Sequence, residues 1–457
     1  MQASHKIDAV FDDPNLVASA GLVPVLALAR RCGLDGLVAG RLTLSGPGSA
    51  NAYLKVPALV AGMIAGADSI DDMDLLRHGA MDRLFGGIRA PSTLGTFLRT
   101  FTFGHVRQLD AVAAALLVNL AAHTPLLPGA EAVTFVDIDD TVKRTYGYAK
   151  QGTGYGYSGV KGLNALIGAI STPTAAPVIA ATRLRKGSTN SARGAARLVA
   201  DTLAVATRSG ASGLVLARMD SAFYNADVVA AVGRAAAKFS ITARMDRAVQ
   251  GAVASIEEIS WTPIKYPEAI WDQDEQRWIS DAEVAEVAYT AFTSRRQDQH
   301  ATGRLIVRRV RRLNPAANSQ GELFTAYRYH AVFTNSTLEL VQAESYHRGH
   351  AIIEQVIADL KSGPLAHLPS GSFNANAAWL VCAAIAFNLT RAAGCLASRF
   401  HARARTATIR AHLVTVPGRI ASSARRLTLH LPRDWPWEHA WQELFTASNG
   451  LPNHQPV

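Results

Sequence analysis

Cysteine is scarce in this 457-residue chain, and the spacing of its cysteines excludes two common uses of the residue. Only Cys32, Cys382 and Cys395 are present, and no two of them stand in a CxxC pair. Neither a zinc site built on paired cysteines nor a disulfide framework is therefore supported. Isolated cysteines of this kind predict reduced thiols that are mostly buried.

Long hydrophobic runs are also missing. The longest, Ala377 to Leu389, is shorter than the ~20 residues of a membrane-spanning helix. It contains Asn388 and is followed by Arg391. Three aspartates precede any apolar stretch at the N-terminus, which is wrong for a signal peptide. These features predict a cytoplasmic protein with no membrane partner.

Acidic residues are absent between Asp359 and Asp434, in a chain whose formal net charge is +10. The basic residues of that stretch are Lys361, Arg391, Arg399, Arg403, Arg405, Arg410, Arg419, Arg425, Arg426 and Arg433. A clustered positive charge favours a polyanionic partner, because Lys and Arg that neutralise phosphates release condensed counterions. The alternative is an ordinary solvated face.

The pattern of apolar and polar residues changes near residue 130. Residues 1–125 carry periodic Ala- and Leu-rich segments, which predict helices. Beyond the linker Thr124–Gly129 the pattern predicts strands and helices in the order β-β-β-α-β-α-β. The predicted ranges are 133–139, 162–171, 177–183, 191–208, 214–220, 227–238 and 240–246. This order fits an α/β fold with an RNase H-like mixed sheet, in which acids from the first and fourth strands meet.

One N-terminal segment is a candidate for DNA recognition. Ala90 to Phe101 predicts a short helix with Ser92 or Thr93 as its N-cap. Thr96, Arg99 and Thr100 are expected to be exposed on it. The helix is either a DNA-recognition helix or a packing helix.

Three acidic residues have contexts suited to holding a metal ion. Asp139 ends one apolar strand, Asp220 ends another, and Glu354 lies on a helix predicted over 346–361. Divalent ions such as Mg²⁺ prefer hard oxygen ligands and support phosphodiester cleavage. Asp137 is a rival for Asp139, since residues i and i+2 of a strand share a face, whereas Asp140 is expected on the other face.

Two further segments carry distinctive residues. The glycines of the run 146–159 fit a wide hairpin, because no Lys-Ser/Thr follows in phosphate-loop spacing. Strand-like runs between 247 and 340 predict a β-rich insertion with a basic strand that begins at Arg304. Its tryptophans are predicted core residues, with base stacking as the alternative: Trp261, Trp271 and Trp278.

Four pieces of sequence together resemble a known family: Val136–Thr141, Gly154–Gly162, Met219–Phe223 and Tyr346–Lys361. They look like a bacterial insertion-sequence DDE transposase, and more narrowly like the insertion-sequence thirteen-eighty group, related to the insertion-sequence-four-like transposases. The similarity runs from about residue 55 to 395. It implies an RNase H-like catalytic core with a β-rich insertion, preceded by a helical N-terminal DNA-binding domain.

The resemblance also implies a division of the chain. The expected parts are a helical region 1–125, a catalytic core 130–246 and 341–395, an insertion 247–340, and a basic region 396–457. It further implies Mg²⁺ as cofactor, with Mn²⁺ as a substitute ion. The expected partners are the terminal inverted repeats and target DNA, bound by a homodimer or synaptic complex associated with the nucleoid.

Carried over residue by residue, Asp139, Asp220 and Glu354 would be the catalytic metal ligands. Lys361 lies seven residues after Glu354 on the same helical face and would contact a DNA phosphate. In the wider transposase class, a Tyr and an Arg precede the Glu by seven and four residues, and those positions here are His347 and His350. Tyr346 and Arg348 instead precede Glu354 by eight and six residues. They are candidate DNA contacts whose roles depart from the pattern.

The expected activity is cut-and-paste DNA transposition by metal-dependent cleavage and strand transfer. A haloacid-dehalogenase-like phosphatase is an alternative, with Asp137 as nucleophile and Asp139 as acid/base. Met219 stands where that family has Gly, which argues against it. The other alternative is a catalytically inactive DNA-binding protein.

Overall fold

The chain forms two compact units in a computed structural model that describes residues 7–46, 48–147, 150–272, 277–311, 327–424 and 426–449. The helical unit takes in Met1–Leu126, Gly147–Gln151 and Asp359–Val457. The sheet unit takes in Leu127–Tyr146 and Gly152–Ala358. The division of the chain into four regions stays a prediction.

The elements are numbered in chain order. The helices are α1 (Leu22–Arg31), α2 (Leu34–Arg41), α3 (Ala52–Ala65), α4 (Met81–Leu84), α5 (Pro91–Arg99), α6 (Phe103–His123), α7 (Ala195–Arg208), α8 (Ala226–Arg234), α9 (Arg247–Ala254), α10 (Leu340–Arg348), α11 (Ile352–Lys361), α12 (Phe373–Ala397), α13 (Thr406–Ile409) and α14 (Glu438–Asn449). The strands are β1 (Leu16–Val17), β2 (Val133–Arg144), β3 (Gly154–Tyr155), β4 (Lys161–Ser171), β5 (Val178–Lys186), β6 (Leu214–Met219), β7 (Lys238–Thr242), β8 (Thr262–Asp272), β9 (Arg277–Ala291), β10 (Ala301–Arg311), β11 (Tyr327–Thr334), β12 (Gly418–Ser423) and β13 (Arg426–His430).

Helix α12 is the centre of the helical unit. It is mainly apolar and is buried around its whole circumference, so it is stable only where neighbours cover every side. Helices α1, α3, α5, α6 and α14 pack against it. Among the described residues it alone is long and apolar enough to cross a membrane, but 89% of its most apolar window is buried within the protein, as in a core helix.

Polar side chains on α12 are buried with their partners. Asn376 accepts from the backbone N–H of Ser370 at 3.0 Å and donates to the carbonyl of the same residue at 2.8 Å. Arg391 donates to the carbonyls of Ala402 and Ala404. Burial of such groups is tolerated because they are hydrogen-bonded. Arg391 therefore serves the helical unit internally, although it belongs to the acid-free basic stretch.

Strand β2 lies in the interior of a ten-stranded mixed sheet. The order is β3-β4-β2-β6-β7-β11-β10-β9-β8, and β5 pairs with the other edge of β4. Strands β2, β4 and β5 form an antiparallel meander, whereas β6 runs parallel to β2 and β7 parallel to β6. Helix α7 packs on β2, β4 and β5. The prediction of an α/β fold with a mixed sheet is confirmed.

The segment between β7 and α10 extends this sheet. Strand β11 pairs antiparallel with β7 over Val332–Thr334, and β10, β9 and β8 follow in antiparallel order. Apart from α9, its regular structure in the described residues is mainly β. Cross-strand pairing with β7 continues the backbone hydrogen bonding of the core without a break.

Several predicted helix boundaries were wrong. The helix predicted over 191–208 begins at Ala195, and the one predicted over 227–238 ends at Arg234. Helix α5 begins at Pro91 with Ala90 as N-cap and no side-chain cap, because proline is pre-organised for the first helical position. The helix predicted over 346–361 is interrupted by a 3₁₀ turn at Gly349–Ala351. There Arg218 donates to the carbonyl of Tyr346 at 2.7 Å, so that carbonyl is engaged from outside the helix.

Gly168 on β4 allows α7 to approach the sheet, and its substitution gives a test of this packing. A Cβ at Gly168 would lie 2.1 Å from Thr202 Oγ1, which is buried and donates to Leu198. We expect Gly168→Ala to lower the free energy of unfolding by about 1–3 kcal/mol through overpacking. Urea denaturation measures this change.

Gly233→Ala is the matched control, since a Cβ there meets nothing within 4 Å on helix α8. It should be neutral or stabilise by up to about 1 kcal/mol, because alanine favours a helix. Equal destabilisation by both substitutions would contradict the close approach of α7.

Candidate active site

Asp137 is fully buried and bonded on both carboxylate oxygens. Arg218 Nε and Nη2 donate to its two oxygens at 2.7 Å each, and His350 Nδ1 lies 2.9 Å from Oδ1. Burial alone would raise the pKa of Asp137, but the charge of Arg218 and the hydrogen bond from His350 outweigh it and hold the pKa below its ordinary value. Asp137 is thus an ionised carboxylate fully engaged by the protein.

Asp139 and Asp220 have no such compensation. Both follow the last paired residues of parallel neighbours, Ile138 on β2 opposite Met219 on β6. Backbone N–H groups of Asp140 and Ala222 donate to them at 2.7 and 2.9 Å, but no Lys or Arg of the described chain pairs with either. The carboxylates of half-buried Asp139 and exposed Asp220 therefore lie within electrostatic range of each other without a counter-charge in contact.

The pKa values of Asp139 and Asp220 reflect the lack of a positively charged partner. Burial, followed by the charges of Asp220 and Asp140, raises the pKa of Asp139 to about 7. Burial and the charge of Asp140 also raise the pKa of Asp220. Hydrogen bonds from the backbone and the nearby His350 oppose both shifts but do not cancel them. A divalent cation would relieve this repulsion, and the two sets of hard oxygen atoms suit one.

Asp140 faces the other side of β2, as predicted. Arg185 on β5 forms a buried ion pair with it, and Asn164 on β4 donates to it at 3.0 Å. Arg185 also donates to the carbonyls of Ser191 and Arg193, both at 2.8 Å. Asp140 therefore anchors the loop that follows β5 and is not available as a metal ligand in this arrangement.

Sequence reasoning assigned no role to His347 and His350, and both have defined places. The Nδ1 atom of His350 contacts Asp137, and the ring is near enough to Asp139 and Asp220 to lower the pKa values of both carboxyl groups. His347 lies between Ser240 and Thr242 of β7, at 2.9 and 3.0 Å. Burial lowers the pKa of His347 to about 3, so it stays neutral. The signal available was their position at the offsets where the wider class has Tyr and Arg.

Glu354 is exposed on α11, separated from α10 by the 3₁₀ turn. Within the described ranges no group of three His, Cys, Asp or Glu side chains is arranged to hold a metal ion. The structure brings Asp139 and Asp220 together, and it does not add Glu354 to them. Lys361 is exposed and is the last residue of the same helix.

Tyr346 and Arg348 are held by neighbours in the sheet unit. The Tyr346 ring packs edge-on against Phe135 at 4.9 Å between centroids. Arg348 pairs with the buried Glu344 at 3.3 Å, and its guanidinium lies 4.4 Å from the centre of the Tyr266 ring. Both side chains thus have structural contacts in addition to any contact with DNA.

Part of the positive charge is balanced by acids that are distant in sequence. Arg405 pairs with Asp359 at 2.6 Å, and Arg419 pairs with Asp13 at 3.1 Å. On β10, Arg309 is buried and bonded to Glu258 and Glu283. Acids far away in sequence therefore neutralise arginines that looked unbalanced along the chain.

Trp261 contributes to the packing of the insertion. Its ring lies 4.2 Å from the guanidinium carbon of Arg309. Trp271 is 42% exposed, and the Trp278 side chain lies outside the part that the structure describes. Packing is the observed role of Trp261, which is half-buried, whereas the expectation that Trp271 is a core residue was wrong.

The phosphatase alternative requires Asp137 to attack phosphorus. A carboxylate with no exposed surface and both oxygens bonded by Arg218 has no free lone pair directed at a substrate. Strand β4 is also antiparallel to β2, whereas that alternative requires a parallel Rossmann-like sheet. The geometry therefore opposes this reading.

Asp137→Asn and Asp139→Asn should change stability in opposite directions at pH 8 without metal. Asp137 has a lowered pKa, so its ionised form stabilises the fold above its ordinary pKa, and its loss leaves Arg218 buried and unpaired. We expect a loss of about 3–5 kcal/mol. Asp139 has a pKa raised to about 7, so ionisation destabilises the fold as pH rises from about 4 to 7.

Asp139→Asn removes that penalty and should stabilise the protein at pH 8 by about 1–4 kcal/mol, since each pKa unit corresponds to roughly 1.4 kcal/mol. Below pH 4 the gain should vanish. Urea unfolding in EDTA at both pH values measures it. Destabilisation by Asp139→Asn at pH 8 would show that its carboxylate has a counter-charge after all.

Comparison with known proteins gives the chain a family. No curated protein matches it. The family model described as "Transposase DDE domain group 1" matches residues 1–452, which is nearly the whole chain. This breadth agrees with the mixed sheet and with the uncompensated acids on its parallel strands. The chain belongs to the DDE transposases, in the family of transposase DDE domain group 1.

Proposed function

We propose that this protein excises and inserts its own insertion sequence by a cut-and-paste route, within the insertion-sequence thirteen-eighty group. The observation that carries the proposal is the pair of carboxylates of half-buried Asp139 and exposed Asp220, whose pKa values are raised and which no Lys or Arg of the described residues neutralises. Structural carboxylates are normally paired, as Asp137 and Asp140 are. An unpaired acidic pair is better explained by a metal ion.

The strand order supports an RNase H-like core. Three antiparallel strands, β2, β4 and β5, are followed by β6 and β7 on the opposite side of β2. That arrangement puts Asp139, which lies within β2, beside the end of β6, where Asp220 follows Met219. The strands β8–β11 then form the insertion between the second Asp and the Glu.

Asp139, Asp220 and Glu354 are the proposed ligands for Mg²⁺, for which Mn²⁺ can substitute. The first two fit because they offer hard oxygen atoms at a site that lacks positive charge. Glu354 is proposed from the resemblance and from its exposed carboxylate at the start of α11. When bound, the metal would lower the pKa of water and stabilise charge on the phosphate.

Side chains and backbone N–H groups of the protein hold His350 and the proposed metal ligands in position. Asp137 accepts from Arg218 and contacts His350 Nδ1, which holds the imidazole in place beside the acids. The backbone N–H groups of Asp140 and Ala222 fix the carboxylates of Asp139 and Asp220. Water would hydrolyse the phosphodiester at the element end, and the freed 3′-OH would attack target DNA.

Residues from several parts of the chain would contact DNA. Lys361 is proposed to contact a phosphate of the element end, and Arg348 and Tyr346 to lie near the same strand. The exposed arginines of the C-terminal region, such as Arg399, add to the basic surface. Two ends would be brought together by a homodimer or larger synaptic complex in the cytoplasm, associated with the nucleoid.

Excision from a plasmid that carries the element's own ends tests the proposal. Wild type should excise in Mg²⁺, and Asp139→Asn, Asp220→Asn and Glu354→Gln should each fall below about one hundredth of that activity, since even outer partners of a metal site cost 10–100-fold. Glu339→Gln, at an exposed acid before α10, is the matched control and should excise normally.

A thermal-shift titration with Mg²⁺ separates binding from activity. Wild type should be stabilised by the ion, because binding to the folded state alone raises stability. Asp139→Asn and Asp220→Asn should show little shift. Mg²⁺ binding without excision would indicate an inactive DNA-binding protein, and full activity of Glu354→Gln would remove Glu354 from the site.

The salt dependence of DNA binding tests Lys361. Loss of one phosphate contact should weaken binding to all sequences alike and reduce the slope of log K against log salt by about 1. Lys361→Ala is therefore compared with wild type by fluorescence anisotropy at several salt concentrations. An unchanged slope would mean that Lys361 makes no phosphate contact.

A further inference from the structure

Residues 7–13, here called the N-terminal arm, carry uncovered apolar side chains on the helical unit. The arm has no regular secondary structure. Phe11 is fully exposed, and Ile7 and Val10 are each 73% exposed. A single exposed apolar side chain is ordinary, but several close together form a patch of the kind that marks a contact surface. The arm therefore presents apolar surface that its own chain does not bury.

The base of the arm is attached to the helical unit. Asn15 Oδ1 accepts from Arg83 of α4 at 2.6 Å, and the carbonyl of Asn15 accepts from the N–H of Ile420 at 2.9 Å. These bonds hold residue 15 in place. Phe11 stands four residues earlier and can therefore extend roughly 14 Å from this point, at about 3.4 Å per residue. The arm is thus a short tether with a fixed origin.

An apolar groove opens on the same unit beside this attachment point. Helices α1 and α3 form two of its sides, and the chain at the end of α4 forms the third, where Leu84 directly follows Arg83. Leu26 and Leu54 are half-buried on its walls and Tyr53 is exposed, so the groove is open to solvent. Its volume is about 120 Å³, close to that of a ~150 Å³ cavity that binds benzene. One phenyl ring therefore matches the groove in size.

Gly87 shapes the third wall of the groove. Its φ is 88°, and a Cβ there would lie 3.1 Å from the Leu54 side chain of α3. Glycine adopts this left-handed conformation without strain and brings no side chain into the contact. The chain after α4 can therefore turn closely onto α3, which closes this side of the groove.

The groove and the arm carry charges of opposite sign. Arg30 lines the groove and is exposed, and its contact with Asp35 is long, at 3.8 Å. The arm carries Asp8 and Asp12, both exposed. Opposite charges at the rim of an interface speed encounter and favour the correct partner. The groove is therefore complementary to a segment that is both apolar and acidic, as the arm is.

We propose that Phe11 of each chain binds in the apolar groove of a second copy, so that two chains form a dimer by exchange of N-terminal arms. Phe11 is fully exposed in the single chain and does not fill the groove of its own chain. Because the base of the arm and the groove are adjacent, one two-fold axis brings both arms to both grooves together. The inference goes beyond the proposed function, which involves a dimer but assigns no surface to it.

Sedimentation velocity of the full-length protein over a range of concentrations, without DNA or metal, tests the exchange. Wild type should form a dimer, and Phe11→Ala should weaken dimerisation by about 10- to 100-fold, because a buried aromatic anchor contributes much of the affinity of an interface. Phe103→Ala is the matched control and should dimerise like wild type. Phe103 is 65% exposed in the same unit and does not line the groove.

Two substitutions test the groove side of the contact. Tyr53→Asp places a negative charge at an exposed position of the wall, where it should repel the acidic arm and weaken dimerisation. Arg30→Glu should weaken dimerisation for the same reason. Arg99→Glu, at an exposed arginine outside the groove, should leave it unchanged. Unfolding curves would confirm that each variant is folded.

A mixture of two variants distinguishes exchange between copies from docking of an arm on its own chain. Phe11→Ala keeps an intact groove and Tyr53→Asp keeps an intact arm, so one arm contact can form between them. The mixture should therefore associate more tightly than either variant alone.

A wild type that is monomeric at every concentration would overturn the proposal, as would equal dimerisation of wild type and Phe11→Ala or no gain on mixing. Neither DNA nor metal enters these measurements, so their failure is distinct from failure of the transposase function, which plasmid excision tests.

Discussion

The ion pair between Asp137 and Arg218 determines where the rest of the site lies. These two residues are direct register partners on the parallel strands β2 and β6. Two bonds of 2.7 Å hold them with almost no exposed surface. A slip of one residue would move one partner to the other face and leave a buried charge unpaired, which costs several kcal/mol. The pair therefore fixes the register of the strands.

That register places Asp139 and Asp220 close together. Asp139 follows Asp137 by two residues, and Asp220 follows Arg218 by two, so each lies on the same face as its predecessor. Asp137 and Arg218 neutralise each other in the interior, whereas Asp139 and Asp220 have no Lys or Arg partner among the described residues. Asp139 is half-buried and Asp220 is exposed, so the unpaired acids lie nearer the surface than the ion pair.

Sequence patterns predicted this arrangement only in part. Apolar runs that end in acids located both strands, and their order fitted a mixed sheet, because period and turn residues are local signals. The ion pair itself was missed, since Arg218 lay inside an apolar run and seemed a strand residue like its neighbours. Its partner could be identified only from pairing between strands 81 residues apart. The sequence Asp-x-Asp on one strand and Arg-x-Asp on the other was the available clue.

Tertiary contacts that a sequence does not show also explain why a continuous helix over 346–361 was predicted and why the basic stretch seemed unbalanced by acids. Nothing local forbids a continuous helix over 346–361, but Arg218 engages the carbonyl of Tyr346, and a Cβ at Gly349 would lie 2.8 Å from that guanidinium. A tertiary contact therefore overrides helix propensity at this point. Arg405 likewise looked unbalanced along the chain until Asp359 was seen to face it. Charge is a property of the folded surface, so counts along a sequence overestimate what remains free for DNA.

The arginines of the sheet are used at some acids and not at others. Asp137 and Asp140, the two buried carboxylates on β2, each pair with an arginine. Asp139 and Asp220 have no Lys or Arg partner among the described residues. Natural proteins leave such groups unsatisfied mainly where function compensates the cost. The deficit in positive charge at Asp139 and Asp220 is therefore the feature of this sheet that a purely structural role explains least, and it lies where β6 ends beside β2.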